Sequence, residues 1–249
     1  MKLVFIRHGD PDYEADTLTP RGILEAQALA DYLYDTGFKP DHCYVSVLGR
    51  AKKTAEIVLE KLSIPVTAEC EWLQEFTPRI DRPDNTEKKN ICWDWLPADW
   101  TADDRFYSYD TWTDNERMAA GDVGGEFRKV TGAFDELLAS HGYVHCGNIF
   151  RVERANEDTI AFFCHFGITG VLLSHLFHVS PMIMLHSLIA APTSVTRVVT
   201  EERREGTASF RMTAFGETAH LARAGLTPSV SGRFCETYEA YLTKGQRRD

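Results

Sequence analysis

The chain has 249 residues, 43% of them hydrophobic and 26% charged, a composition typical of a folded globular protein. Its formal net charge of −10 argues against a nucleic-acid partner, because neutralising a phosphate backbone requires a basic face. The sequence shows no apolar run long enough to span a bilayer, no signal peptide and no C-x-x-C pair among its six cysteines. These features predict a cytoplasmic protein with reduced thiols, no membrane contact and a single domain over residues 1–249.

The first predicted element is a strand that ends in residues able to act on phosphate. The apolar run 3–6 is typical of a strand buried on both faces, and Arg7, His8 and Gly9 follow it directly. At the carboxyl end of such a strand, side chains face the crevice where α/β sheets bind ligands. Arg7 can offer a charged fork to a phosphate, His8 a nucleophilic nitrogen, and Gly9 a sharp backbone turn. The same three residues also fit a solvated strand cap with no chemical role.

Helices and strands then alternate. Thr19 is a suitable N-cap, and Pro20 a suitable first residue, for a helix whose apolar positions recur to residue 33. A strand at 43–46, an amphipathic helix beginning at Arg50 and a strand candidate at 65–69 follow. This order predicts right-handed crossovers and a largely parallel sheet. Arg50 starts a helix, where the dipole attracts anions, so it fits either an anion-binding residue or an ordinary surface arginine.

Regular periodicity stops between residues 77 and 124. This stretch contains or adjoins all five tryptophans, so it is too aromatic for a disordered linker. We predict an ordered, mostly helical insertion over the crevice, which serves either as a lid or as a satellite core.

The second half of the chain contains another junction between a strand and a histidine. A helix is predicted from Gly125, and a hairpin with a long loop over residues 143–164. The second arm of that hairpin is apolar and ends in His165, after which a further helix begins at once. Two such strand ends side by side in a parallel sheet would place His8 and His165 in one crevice. A last pair of strands is predicted at 194–200 and 207–215.

The other histidines form no metal-binding pattern. No H-E-x-x-H or comparable spacing is present, so we predict neither a metal site nor a metal cofactor. His175 and His178 share one helix face but have no evident carboxylate or cysteine partner in the sequence. Most of these histidines are expected to be structural or exposed.

Taken in order, the motifs resemble the histidine phosphatase (phosphoglycerate mutase-like) superfamily, and more specifically its phosphatase branch. The motifs follow the family's order along most of the chain, with the insertion and the tail outside the match. They are Arg7-His8-Gly9, Leu18-Thr19-x-x-Gly22, Ser46-x-x-x-Arg50-Ala51, Leu73-Gln74-Glu75, Gly124-Gly125-Glu126, His165 and His220-Leu221.

The chain departs from the family's pattern in three places. Val47 stands where a proline is usual, and Phe166 separates His165 from its glycine, but neither change removes a functional side chain. The segment between Gly9 and Leu18 lacks the tryptophan-containing sequence typical of cofactor-dependent mutases. This last departure favours a phosphatase over a mutase.

The resemblance implies an α/β three-layer sandwich with a mostly parallel central sheet flanked by helices. It also implies a metal-independent phosphomonoesterase that needs no cofactor and acts on a small phosphorylated metabolite. A phosphoglycerate-type mutase and a non-catalytic protein that binds phosphorylated ligands are the alternatives.

The resemblance also implies a role for each site residue. His8 would carry the phosphoryl group as a phosphohistidine, and positive charge nearby would lower the pKa of its imidazole. Glu75 would protonate the leaving group, with Glu126 as the substitute. The residues expected to bind the phosphoryl oxygens are Arg7, Gly9, Arg50 and His165.

Overall fold

A mixed eight-stranded sheet with helices on both faces organises residues 1–231 and 233–240, which the computed structural model describes. None of the helices in these ranges has the length and apolar composition of a membrane span. The strands are β1 (Lys2–Arg7), β2 (Pro11–Asp12), β3 (Thr17–Leu18), β4 (His42–Ser46), β5 (Ala68–Cys70), β6 (Arg79–Arg82), β7 (Asn85–Ile91), β8 (Tyr143–Cys146), β9 (Ile149–Val152), β10 (Thr159–Cys164), β11 (Val195–Arg204) and β12 (Thr207–Glu217). The α-helices are α1 (Pro20–Asp35), α2 (Gly49–Leu62), α3 (Pro97–Trp100), α4 (Glu116–Ala120), α5 (Val123–Ser140), α6 (Phe166–Phe177), α7 (Pro181–Ser187) and α8 (Ala219–Arg223).

The main sheet has a parallel half and an antiparallel half, in the order β5-β4-β10-β1-β11-β12-β9-β8. Strands β5, β4, β10 and β1 run parallel to one another, as the alternation of strands and helices predicts. The other four strands extend the sheet antiparallel from β1, and they include the predicted last pair, β11 and β12. The crevice predicted by the sequence therefore belongs to the parallel half, at the carboxyl ends of β1 and β10.

Strand β1 is buried on both faces because it lies in the middle of the sheet. Leu3 and Phe5 enter the core on one face, where Phe5 stacks on Phe162 of β10 with ring centroids 5.0 Å apart. Val4 and Ile6 enter the second core, which the apolar faces of α1 and α2 complete. Burying a side chain of this size stabilises a fold by about 1.5–3 kcal/mol, so both faces of β1 hold the site's strand firmly in place.

The hairpin predicted over residues 143–164 is wrong. Strands β8 and β9 form a hairpin by themselves, with Gly147 in the turn at φ +63°. Strand β10 instead lies between β1 and β4 and runs parallel to both. Its run of six residues is buried almost throughout, which suits the centre of a sheet, whereas most residues of β8 and β9 are half-buried or exposed and β8 forms the edge of the sheet. The polar loop before β10 is therefore a crossover and not a hairpin turn.

The insertion over residues 77–124 is ordered, as predicted. It holds α3, α4 and a 3₁₀ turn at Asp104–Tyr107, together with a β6–β7 hairpin that the sequence analysis did not anticipate. Trp95, Phe106 and Trp112 are buried in the same core as Phe5, so these aromatic side chains serve as packing.

Candidate active site

The parallel strands β1 and β10 place two histidines side by side. His8 follows β1, and His165 follows β10 as the N-cap residue of α6. The two strands are direct neighbours, with Arg7 opposite Cys164, and the imidazole centroids lie 5.0 Å apart. Both side chains are buried. The structure therefore brings together the two histidines that the sequence analysis expected in one crevice.

His8 presents a nitrogen lone pair in a neutral ring. Its Nδ1 lies 2.7 Å from the carbonyl oxygen of Gly9, and a carbonyl can only accept a hydrogen bond. Nδ1 therefore carries the hydrogen, and Nε2 keeps its lone pair. Burial first, and then the charge of Arg7, hold the pKa of His8 well below its usual range. Burial thus contributes more than the charge repulsion that the sequence suggested.

Two arginines border this pair of histidines, and each is anchored at one end of its guanidinium. Arg7 Nη1 donates to the carbonyl oxygen of Ala190 at 2.5 Å, and Arg50 Nη1 donates to Asp16 Oδ1 at 2.7 Å. The Nε of each arginine is buried and has no hydrogen-bond partner in the part of the chain that is described. Leaving such a donor unsatisfied costs on the order of 1–3 kcal/mol. Two arginines that each keep an unsatisfied Nε donor in one crevice indicate a site for an anionic ligand.

Asp16 is a site residue that the sequence analysis missed. Its Oδ1 accepts from Arg50 Nη1, and its Oδ2 accepts from the backbone N–H of Gly49 at 2.7 Å, where α2 begins. The carboxylate thereby neutralises both the arginine and the positive end of the helix dipole. Tyr13 lies in the same loop, with the Arg50 guanidinium 5.4 Å from its ring centroid. No spacing in the sequence links this loop to Arg50, because the contact spans 34 residues.

His165 is hydrogen-bonded to Ser46 through one ring nitrogen. Its Nε2 lies 2.9 Å from the hydroxyl of Ser46 at the end of β4, while Nδ1 is buried without a partner among the described residues. Burial first, and then the charges of Arg50 and Arg7, hold the pKa of His165 well below its usual range. When the serine hydroxyl donates to Nε2, the single hydrogen of the neutral ring lies on Nδ1. The crevice then has a third unsatisfied donor.

Glu75 lies against the first turn of α6. Its Oε1 accepts from the backbone N–H groups of Ile168 at 2.9 Å and Phe76 at 3.0 Å. Burial raises the pKa of the Glu75 carboxyl even though these hydrogen bonds oppose the shift. A raised pKa favours the protonated carboxyl, which is the form that can give up a proton during a reaction. The substitute donor, Glu126, is instead half-buried on α5 and pairs with the exposed Lys129 at 3.4 Å.

Glycine is needed at position 167 because Glu75 approaches the backbone closely there. A Cβ at Gly167 would lie 2.6 Å from Glu75 Oε1 and 3.0 Å from Trp93 Nε1. Gly9 is constrained in the same way, since its Cβ would lie 2.7 Å from the carbonyl oxygen of Gly22 in α1. Although Phe166 separates His165 from Gly167, the glycine still leaves room for the Glu75 carboxyl.

A family model for the histidine phosphatase superfamily (branch 1) matches residues 3–142 of this chain. The 2,3-bisphosphoglycerate-dependent phosphoglycerate mutase of Glaesserella parasuis is 46% identical over 70 residues. That match covers 24% of this chain and 31% of the mutase, and the enzyme of Haemophilus influenzae (strain PittEE) matches over the same shares at 44% identity. The chain therefore spans about a third of the length of these curated relatives.

Solved structures of phosphatases share the fold over nearly their whole length. A mutant phosphoserine phosphatase of Entamoeba histolytica, in complex with phosphoserine, is 18% identical with a TM-score of 0.56 and covers 88% of this chain and 98% of its own. A mycobacterial glucosyl-3-phosphoglycerate phosphatase is 19% identical with a TM-score of 0.53, covering 86% and 98%. The α-ribazole phosphatase of Shigella flexneri is 19% identical with a TM-score of 0.51, covering 88% and 97%. At these identities the comparison shows a common fold.

Proposed function

The chain belongs to the histidine phosphatase superfamily, and from this premise we propose that it hydrolyses a small phosphorylated metabolite through a phosphohistidine on His8. One observation carries the proposal. The buried nitrogens Arg7 Nε, Arg50 Nε and His165 Nδ1 have no partners among the described residues, and they border a neutral histidine. A phosphoryl group offers three non-bridging oxygens that would accept from these donors.

In the first step, Nε2 of His8 attacks phosphorus, and a P–N bond forms as the P–O bond to the leaving group breaks. Arg7 and Arg50 stabilise the negative charge on the transferring group, and His165 donates a further hydrogen bond. These two guanidiniums supply the positive charge that metal ions supply in many other phosphoryl-transfer sites, so the proposed reaction is metal-independent. Glu75 gives its proton to the leaving oxygen, which departs as an alcohol.

In the second step, water attacks the phosphohistidine. The Glu75 carboxylate accepts a proton from that water, the P–N bond breaks, and His8 returns to its neutral state. Inorganic phosphate then leaves, carrying the oxygen atom of the attacking water. The same carboxyl thus acts as an acid and then as a base, and its raised pKa suits both directions.

The leaving group of the substrate would contact the insertion. Trp93 of the insertion packs edge-on against Phe166 with ring centroids 6.0 Å apart, and its Nε1 lies beside the Gly167 backbone. This places an aromatic surface next to Glu75, the proposed proton donor. We expect a Trp93→Ala variant to change the ranking of phosphorylated substrates while p-nitrophenyl phosphate is still hydrolysed.

A mutase is the second candidate, and the local 46% identity to a phosphoglycerate mutase favours it. A mutase would return the phosphoryl group from His8 to a second hydroxyl instead of to water, and it would need an enzyme primed by a bisphosphate. Measuring released phosphate against isomerised phosphoglycerate separates the two reactions. Binding of phosphorylated ligands without either product would instead indicate a non-catalytic protein.

Trapping the intermediate tests the proposal directly. Substrate labelled in the phosphoryl group, quenched rapidly without acid, should leave label on His8 of the wild type. A His8→Ala variant should lose both the label and the turnover, whereas the matched control His42→Ala, a histidine outside the crevice, should keep both. Label that survives in His8→Ala would overturn the assignment.

A further inference from the structure

A second cluster of chemically active side chains lies where α5, β8 and α6 meet. Asp135 Oδ1 is 2.9 Å from His175 Nε2, and both oxygens of Asp135 are 3.1 Å from His145 Nδ1. The sequence analysis found no carboxylate partner for His175, and that statement is wrong because Asp135 lies 40 residues away in the chain. His175 is ten residues along α6 from His165, which corresponds to about 15 Å. The proposed phosphatase reaction uses none of these side chains.

We propose that Asp135, His145 and His175 bind a divalent transition-metal ion of the zinc type. Two imidazole nitrogens and one carboxylate oxygen form a donor set that such ions prefer. Ligand atoms around a tetrahedral zinc ion, with bonds of about 2.0–2.1 Å, lie roughly 3.3 Å from one another. The nitrogen–oxygen distances here are 2.9–3.1 Å, and all three ligand atoms lie within 4.8 Å of one another. A small outward shift of the side chains admits the ion.

The surroundings hold both imidazoles in orientation. Tyr109 Oη lies 2.6 Å from His175 Nδ1, the ring nitrogen that does not face Asp135. Histidines that bind metals characteristically have this outer nitrogen fixed by a polar group. The His145 ring stacks on Phe150 with centroids 4.6 Å apart and an interplanar angle of 8°. The donor atoms therefore come from three rigid elements and point at one another before any ion is bound.

The same contacts are N–H···O hydrogen bonds when the facing nitrogens carry hydrogens. On binding an ion, the nitrogen that faces Asp135 must give up its hydrogen: a neutral imidazole keeps that hydrogen on the outer nitrogen, and a protonated imidazole releases one proton. Tyr109 can accommodate this change because its hydroxyl both donates and accepts. An ion thus replaces two hydrogen bonds with two metal–nitrogen bonds and one metal–oxygen bond.

Binding would connect the insertion to the core. Tyr109 belongs to the insertion, whereas the three proposed ligands belong to α5, β8 and α6. An ion that fixes His175 also fixes the hydrogen bond to Tyr109, so it should raise the thermal stability of the whole chain. The expected role is structural, since the cluster lies away from the crevice.

The test is metal binding by the chelator-stripped full-length protein, with Co²⁺ as a spectroscopic probe and Zn²⁺ by calorimetry. We expect one equivalent of Zn²⁺, a visible Co²⁺ spectrum typical of nitrogen and oxygen ligands, and a higher melting temperature with Zn²⁺. Asp135→Asn, which keeps the side-chain size, and His175→Gln, which replaces one imidazole ligand by an amide, should abolish all three signals. Tyr109→Phe should weaken binding by about tenfold or more.

The matched control is His42→Gln, because His42, His141 and Asp158 form a separate cluster of possible ligands. That variant should bind Zn²⁺ as the wild type does. A wild type that binds no Zn²⁺, or a signal that survives Asp135→Asn, would overturn the proposal and leave the cluster as a hydrogen-bonded link. Metal binding is measured without catalysis, so its result is independent of the proposed phosphatase reaction. Hydrolysis of p-nitrophenyl phosphate, measured in the same samples, tests that reaction separately.

Discussion

Replacing Glu75 with glutamine tests the proposed proton donor while leaving the shape of the site unchanged. The amide oxygen of glutamine can still accept from Ile168 and Phe76, whose N–H groups lie 2.9 and 3.0 Å from Oε1. The side chain should therefore stay in place. An amide, however, cannot supply a proton to a leaving alkoxide.

The size of the effect depends on the leaving group. General acid catalysis contributes about 10²- to 10⁴-fold, or roughly 3–5 kcal/mol of transition-state stabilisation. We expect Glu75→Gln to slow an alkyl phosphate by about a hundredfold or more, because an alkoxide is a strong base. p-Nitrophenyl phosphate should lose much less, since nitrophenolate leaves without protonation. Steady-state kcat on the two substrates gives the comparison.

The pH profile supplies a second measurement. Burial raises the pKa of Glu75, so the proton needed by an alkyl leaving group is present below that pKa and is lost as the pH rises through it. The alkaline decline on alkyl phosphates should therefore flatten in Glu75→Gln. Glu126→Gln is the matched control, and it should leave both substrates unaffected because the Glu126 carboxylate pairs with Lys129 instead. Equal losses on both substrates would show that Glu75 positions phosphate or supports the fold instead.

Three further changes test the site and the fold. Arg50→Ala should lose on the order of 3 kcal/mol of transition-state stabilisation, measured as kcat/KM, while wild-type activity persists in excess chelator. A loss of activity in excess chelator that a divalent ion then restores would contradict the expectation of metal independence. Phe5→Ala should lower the free energy of unfolding by about 3–5 kcal/mol in denaturant titrations, because Phe5 is buried against Phe162; a loss below about 1 kcal/mol would refute that packing. Burial lowers the pKa of His220 to about 4. Between pH values of about 4 and about 6.5, the unfolded chain therefore binds a proton at His220 that the folded chain does not bind. Stability should therefore fall on acidification, and His220→Asn should reduce that slope by at most about 1.4 kcal/mol per pH unit; an unchanged slope would contradict the shift.

The parts of the fold that the sequence predicts are those with local signals. Thr19 caps α1 through a hydrogen bond from the N–H of Gly22 at 3.0 Å, as its place before Pro20 predicts. The apolar run of β1 is buried on both faces, because exposing either face to solvent would expose apolar side chains. The sequence also places His8 and His165 each at the carboxyl end of a buried strand, although their closeness depends on the pairing of β1 with β10.

The features that could not be predicted depend on pairing between distant residues. Closeness in sequence predicts a hairpin that contains β10, yet its partners β1 and β4 come more than 100 residues earlier. Asp16 binding Arg50 and Asp135 binding His175 are similar cases, because the contacts depend on how loops and helices pack in three dimensions. Periodicity and motif spacing carry no information on such contacts.

The insertion and the proposed proton donor are parts of one structural unit. Trp93 Nε1 donates to the carbonyl oxygen of Phe76 at 2.7 Å, and the N–H of Phe76 donates to Glu75 Oε1 at 3.0 Å. The segment that would recognise the leaving group therefore also holds the backbone beside the carboxyl that would protonate it. Glu75 and Trp93 both pack against the first turn of α6 at Gly167, where a Cβ atom would clash with each of them. In the proposed reaction, substrate selection and proton transfer would therefore be coupled through a single contact, whereas Arg7 and Arg50 are anchored separately through Ala190 and Asp16.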